Sequence, residues 1–165
     1  MAKPKPALKT PTDLNDNQLK EVAAALNVAL ANSYAIYLKT KNFHWHVSGP
    51  HFRDYHLLLD EQAAEILATT DLIAERVRKT GGTTLRSIGN ISRLQQVKDN
   101  DADYVSAADM LAELQADNRT LVESLRTVKD LAEEANDIAT SGLVDDWVDQ
   151  AEQRIWFLFE TGRNG

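Results

Sequence analysis

The chain has 165 residues, 43% of them hydrophobic and 26% charged, with a formal net charge of −7 and no cysteine. That length suits one domain with a substantial core, and the lack of thiols excludes disulfides, zinc–thiolate sites and thiol catalysis. The acidic balance argues against a body that binds nucleic acid over its whole surface and suits a protein that handles cations. No apolar run reaches signal-peptide or membrane-spanning length, so a cytoplasmic location without membrane contact is expected.

Residues 1–13 read as a tail. Its first twelve residues hold Lys3, Lys5 and Lys9, no acid, and Pro4, Pro6 and Pro11, a composition expected to stay extended and mobile. Residues 14–162 read as one helical domain. The first helix is expected from about Asp16 to about Trp45, with Leu30, Tyr37 and His44 at seven-residue steps on one face and Ser48-Gly49-Pro50 ending it. The second begins near Phe52, carries Leu59, Ile66 and Ile73 on its apolar stripe, and stops at Gly81-Gly82 after Arg76, Arg78 and Lys79. The long link that follows is expected to hold a short helix around Thr84–Leu94, because structureless loops of that length are uncommon in compact domains. A third helix begins at Ser106, with Asp109 completing a capping box, and runs through Met110, Leu114, Leu121, Leu125 and Val128. The fourth starts near Thr140 or Ser141 and ends after Phe159. The expected fold is all-α: an antiparallel four-helix bundle with a short extra helix between the second and third.

All four histidines (His44, His46, His51 and His56) fall within thirteen residues. On the second helix, His56 and Asp60 are four apart, as are Asp71 and Glu75, so each pair shares a face. The pairs cannot meet within one chain, because the eleven residues from Asp60 to Asp71 span about 16 Å of helix. His56–Glu75 and Asp60–Asp71 nevertheless share one midpoint, between Glu65 and Ile66. Antiparallel pairing of two copies about that point would bring each chain's His56 and Asp60 beside the other's Asp71 and Glu75. Ala63, Ala64 and Ala68 near the midpoint are small enough for close approach. Mixed imidazole and carboxylate donors suit a redox-active divalent metal such as iron better than magnesium or calcium. The same spacing also arises on a merely solvated helix face, and His44 also fits a hydrogen-bonded core residue, while His46 points away from the stripe.

The run Asn42-Phe43-His44-Trp45-His46-Val47-Ser48-Gly49-Pro50-His51-Phe52, then Tyr55-His56 and Asp71-Leu72-Ile73-Ala74-Glu75-Arg76, closely resembles the signature of the Dps family, ferritin-like mini-ferritins named for protecting DNA in starved cells. The match extends to Gly81-Gly82 and to Trp156-Phe157. The resemblance implies a hollow dodecamer with ferroxidase centres at its two-fold interfaces. His44, His56 and Asp60 would come from one subunit and Asp71 and Glu75 from its mate, with two iron ions at each centre. It also implies that Fe(II) is oxidised with hydrogen peroxide in preference to dioxygen, and that the ferric product mineralises in the shell, removing both Fenton reactants. Trp45, beside a ligand, is a candidate electron donor or else a core aromatic. Lys3, Lys5 and Lys9 resemble the basic tails with which some members bind DNA, so the competing function is a nucleoid protein acting by compaction. The chain contains no E-x-x-H, which sets aside the intrabundle site of full-size ferritins. In the family's acidic D-x-x-T-x-D pattern near an iron pore, Asp137 and Thr140 match but Gly142 replaces the second aspartate. Asp145, Asp146 and Asp149 are the substitutes for that negative field.

Overall fold

The computed structural model describes residues 8–163. Helix α1 spans Asp16–His46, α2 Phe52–Lys79, α3 Ile88–Leu94, α4 Ala107–Glu134 and α5 Ile138–Thr161. Four of these five starts carry a side-chain cap, α2 being the exception. Asn15 accepts from the Asn17 and Gln18 amides while the Gln18 side chain accepts from the Asn15 amide, a complete capping box. Ser87 accepts from Asn90 at 3.1 Å, and Ser106 accepts from Asp109 at 3.1 Å. Helix α3 starts four residues later than the pattern suggests. Thr84 Oγ1 donates to the Asn27 side chain and Asn27 Nδ2 donates to the Thr83 carbonyl, which ties the chain to α1 before it can coil.

The α4–α5 turn explains a second shift. The Asp137 amide donates to the Ala132 carbonyl and the Asn136 amide to Glu133, with Asn136 at φ 56°. This Schellman arrangement ends α4, and Asp137 then caps α5, so α5 begins at Ile138 rather than at Thr140.

Helices α1 and α2 form one closely packed hairpin and α4 and α5 another; α1 and α4 join them, whereas α2 and α5 share little direct packing. The main core runs through Val22, Leu26, Leu30, Ile66, Ile73, Leu121, Leu125 and Trp147. A second cluster closes the other end with Phe43, Leu59, Met110, Leu114 and Leu158. Polar ties cross the interior. Lys39 sits 2.9 Å from both Glu113 and Asp117. Burial pushes the Asp117 carboxyl up, opposed by the Lys39 hydrogen bond. Arg154 donates to Asn118 at 2.8 Å and faces Glu65 at 3.2 Å.

Residues 8–13 differ from the mobile tail expected of them. Arg78 Nη2 donates to the Leu8 carbonyl at 2.7 Å, and Lys9 pairs with Asp16 at 2.8 Å. Gly81, at φ 99°, leaves room for this strap: a Cβ there would lie 2.8 Å from Leu19 Cδ1 and 3.0 Å from the Thr10 carbonyl. Lys3 and Lys5 lie outside the described residues. Among the described residues, no helix is long and apolar enough to cross a membrane.

Candidate metal centre

The end of α1 and the start of α2 bring His44, His56 and Asp60 together inside a single chain. His44 is buried and His56 half-buried, with ring centroids 3.8 Å apart and planes 17° from parallel. His44 Nδ1–H donates to the His56 carbonyl at 2.7 Å, and His56 Nδ1–H donates to the His44 carbonyl at 2.8 Å. A carbonyl only accepts, so these two bonds place a proton on each Nδ1 and leave the Nε2 lone pairs for a metal. His44 Nε2 lies 3.8 Å from Asp60 Oδ1. Phe52 stacks on His56 at 5.1 Å and restrains it further.

Lys41, one turn before His44, is a member of this group that sequence reasoning overlooked, although its position three residues upstream places it on the same face. Its Nζ lies 2.8 Å from Asp60 Oδ1 and 5.7 Å from the Trp45 ring centroid. The Lys41 hydrogen bond, and then its charge, hold the Asp60 carboxyl below the usual carboxylate range. The ammonium thus stands beside the oxygen that a metal ion would use. Trp45 is 58% exposed, so within one chain it is not a core residue.

The other predicted ligands are separate. Asp71 and Glu75 are exposed on α2, and among the described residues Glu75 pairs with Lys79 at 3.6 Å. Among the described residues no three ligating side chains come together within one chain to hold an ion. Between the two halves, α2 exposes Ala64, Leu67 and Ala68, flanked by Leu57 and Leu72. Ala63, expected at this face, is instead 1% exposed and faces the chain's own core. The donor set fits iron: two neutral nitrogens and three carboxylates, divided between two positions that share a midpoint. His46 is exposed and bonded to Asn42, and takes no part.

The acidic residues before and within α5 divide in the same way. Asp137 is buried and fully engaged: it accepts from Arg76 Nη2 at 2.7 Å, from the Thr140 amide at 3.1 Å and from the Thr140 hydroxyl. Its place is structural, because both oxygens face inward to the cap and the guanidinium. Asp145 pairs with Lys129 at 2.7 Å. Asp146 and Asp149 are exposed.

Residues 23–163 match the ferritin-like domain family, which fits the four-helix bundle. The DNA protection during starvation protein of Brevibacillus brevis is 34% identical over 137 residues, covering 83% of this chain and 91% of that one. The crystal structure of a Dps protein from Bacillus brevis superimposes with a TM-score of 0.86 at 31% identity, covering 91% of this chain and 100% of that one. A Vibrio cholerae Dps protein, described as a member of a broad superfamily of ferritin-like diiron-carboxylate proteins, gives a TM-score of 0.86 at 25% identity, with coverage of 93% and 98%. The chain belongs to the Dps family of ferritin-like proteins.

Proposed function

We propose that two copies of this chain pair through the exposed face of α2 about an axis between Glu65 and Ile66, and that each pair carries two iron-oxidising centres. His44, His56 and Asp60 of one chain act with Asp71 and Glu75 of the other. The carrying observation is the reciprocal histidine lock, which leaves both Nε2 atoms free of the two backbone carbonyls, with that of His44 3.8 Å from Asp60, while Asp71 and Glu75 stand exposed on the same helix. The diiron-carboxylate description of the Vibrio relative supports iron as the substrate.

The residues divide the work. Imidazoles hold ferrous ions without adding negative charge, and the three carboxylates favour the ferric product. With about two ions per centre, each gives one electron to a single peroxide, whose O–O bond breaks to yield water once protons are taken up. Lys41 has to leave Asp60 as iron binds, and Trp45 stands beside the site as a one-electron donor. The wider proposal follows the family. The chain assembles into a hollow cytoplasmic dodecamer, prefers peroxide to dioxygen, stores ferric mineral and so protects DNA. Asp146 and Asp149, rather than the capping Asp137, offer free carboxylates for an inward iron route. The competing reading, a nucleoid protein that compacts DNA, depends on Lys3, Lys5 and Lys9, and Lys9 is already paired with Asp16; iron chemistry is favoured. The test mixes anaerobic protein with Fe(II) and peroxide. Soluble ferric product without spin-trapped hydroxyl radical supports the proposal, and a radical yield equal to that of free iron refutes it.

A further inference from the structure

Helix α2 carries four of the five proposed ligands, yet its two flanks are held very differently. On one side it packs along α1; on the other it scarcely touches α5. The described contacts across that second seam include polar ties: Gln62 to the Arg154 carbonyl, Arg154 to Glu65, and Arg76 to the α4–α5 turn. The last tie immediately follows Glu75. Arg76 uses two nitrogens of its planar fork, Nε on the Thr140 hydroxyl at 2.7 Å and Nη2 on Asp137 Oδ1 at 2.7 Å. Thr140 is fully buried, and the Arg76 and Asp137 side chains are 16% and 5% exposed. Two partners on a rigid guanidinium fix an angle as well as a distance. A buried ion pair of this kind contributes little net stability over a well-packed apolar substitute, but it does select one arrangement.

We propose that Arg76 is a positioning residue for the Asp71/Glu75 half of the metal centre. By locking the C-terminal half of α2 to the α5 cap, it sets the rotation of that helix and hence the direction in which Asp71 and Glu75 face the partner chain. This rests on the assignment of those two carboxylates as ligands. Asp137 then serves the centre through Arg76 rather than as a carboxylate on the iron route. The coupling is geometric: Arg76 lies about 100° around the helix from Glu75, so it touches neither the ion nor the ligand.

Cobalt(II) titration of the full-length assembled protein tests this, reading both the binding isotherm and the visible absorption of the bound ion. Glu75→Ala is the reference for ligand loss, and Arg163→Gln, in the exposed pair with Glu160, is the control expected to match wild type. Arg76→Gln should weaken cobalt binding about tenfold, the range seen when supporting contacts of a metal site are removed, and should alter the absorption envelope. Asp137→Asn keeps a capping side chain for α5 and should have the same effect. The double variant should add little, and Arg76→Lys should restore only part, because an ammonium cannot reproduce the fork. Wild-type affinity and spectrum in assembled Asp137→Asn and Arg76→Gln would overturn the proposal while leaving the ligand assignment intact. If Arg76→Gln fails to assemble, Asp137→Asn decides. Failure of both to assemble would also overturn it, by reducing the contact to a folding requirement. A Glu75→Ala variant that binds cobalt like wild type would instead refute the underlying assignment.

Discussion

The two ends of α2 carry the same kinds of side chain in opposite states of readiness. At the start of the helix, His56 and Asp60 are already organised by His44, Phe52 and Lys41 of the same chain. Toward its end, Asp71 and Glu75 stand exposed, with Lys79 loosely beside Glu75. On the proposed reading, one chain builds a pre-set nitrogen-rich half-site and displays a carboxylate half-site for another chain. A pre-organised half loses little freedom when it binds, whereas the displayed half acts only when assembly brings it to the first.

The comparison breaks most severely if either half is deleted. His56→Ala or Asp71→Ala, assayed alone, should lower ferroxidase turnover by roughly 10²-fold or more, since loss of even supporting contacts costs a metal site 10–100-fold. Stopped-flow absorbance of the ferric product measures this, and equal helical content checks the fold. Nearly as large an effect should come from a residue that is no ligand. Leu67→Arg places like charges across the proposed two-fold midpoint, on a side chain already 42% exposed, so the chain should fold, fail to pair and lose turnover with all five ligands present. Light scattering and turnover read together decide this, and a monomer with full activity would refute the shared centre.

Smaller effects sharpen the pre-set half. Lys41→Met removes a competing cation and should raise cobalt(II) affinity a few-fold at neutral pH, where Asp60 is ionised with or without the lysine. Because Lys41 holds the Asp60 carboxyl low, its ion pair supports the fold above the ordinary carboxylate range and is lost as pH falls through the depressed value. Removing the lysine should therefore bring the Asp60 titration, followed by NMR on the metal-free protein, back toward the ordinary carboxylate range. A titration unmoved in Lys41→Met would show that the lysine does not hold that carboxylate in solution. The smallest change should follow truncation. Deleting residues 1–7 should leave melting and iron oxidation unchanged, whereas deleting 1–12 also removes the strap on Gly81 and Arg78 and should lower Tm by a few degrees. Any gel shift with DNA should disappear in both.

Much of this was legible in the sequence because helical periodicity and caps are local signals. Asn15, Gly49-Pro50 and Ser106 set their boundaries with neighbours only a few residues away, and the spacing of His56, Asp60, Asp71 and Glu75 carried the symmetric midpoint. What escaped depended on distant partners. Thr84 stays out of α3 because of Asn27, Asp137 turns inward because of Arg76, and residues 8–13 dock because Gly81 and Arg78 receive them. Ala63 and Ala64 differ by one position, yet about 100° of helix rotation sends the first to the core and the second to the surface.

The division of the centre between two chains is tested most directly by co-assembly of inactive subunits. His56→Ala and Asp71→Ala chains, mixed in equal amounts, unfolded and reassembled together, give shells in which some centres draw His56 from the second variant and Asp71 from the first. With random pairing about a quarter of the centres are then intact, and turnover should recover to about that share of wild type. Turnover no higher than in either variant reassembled alone would contradict a centre shared between subunits.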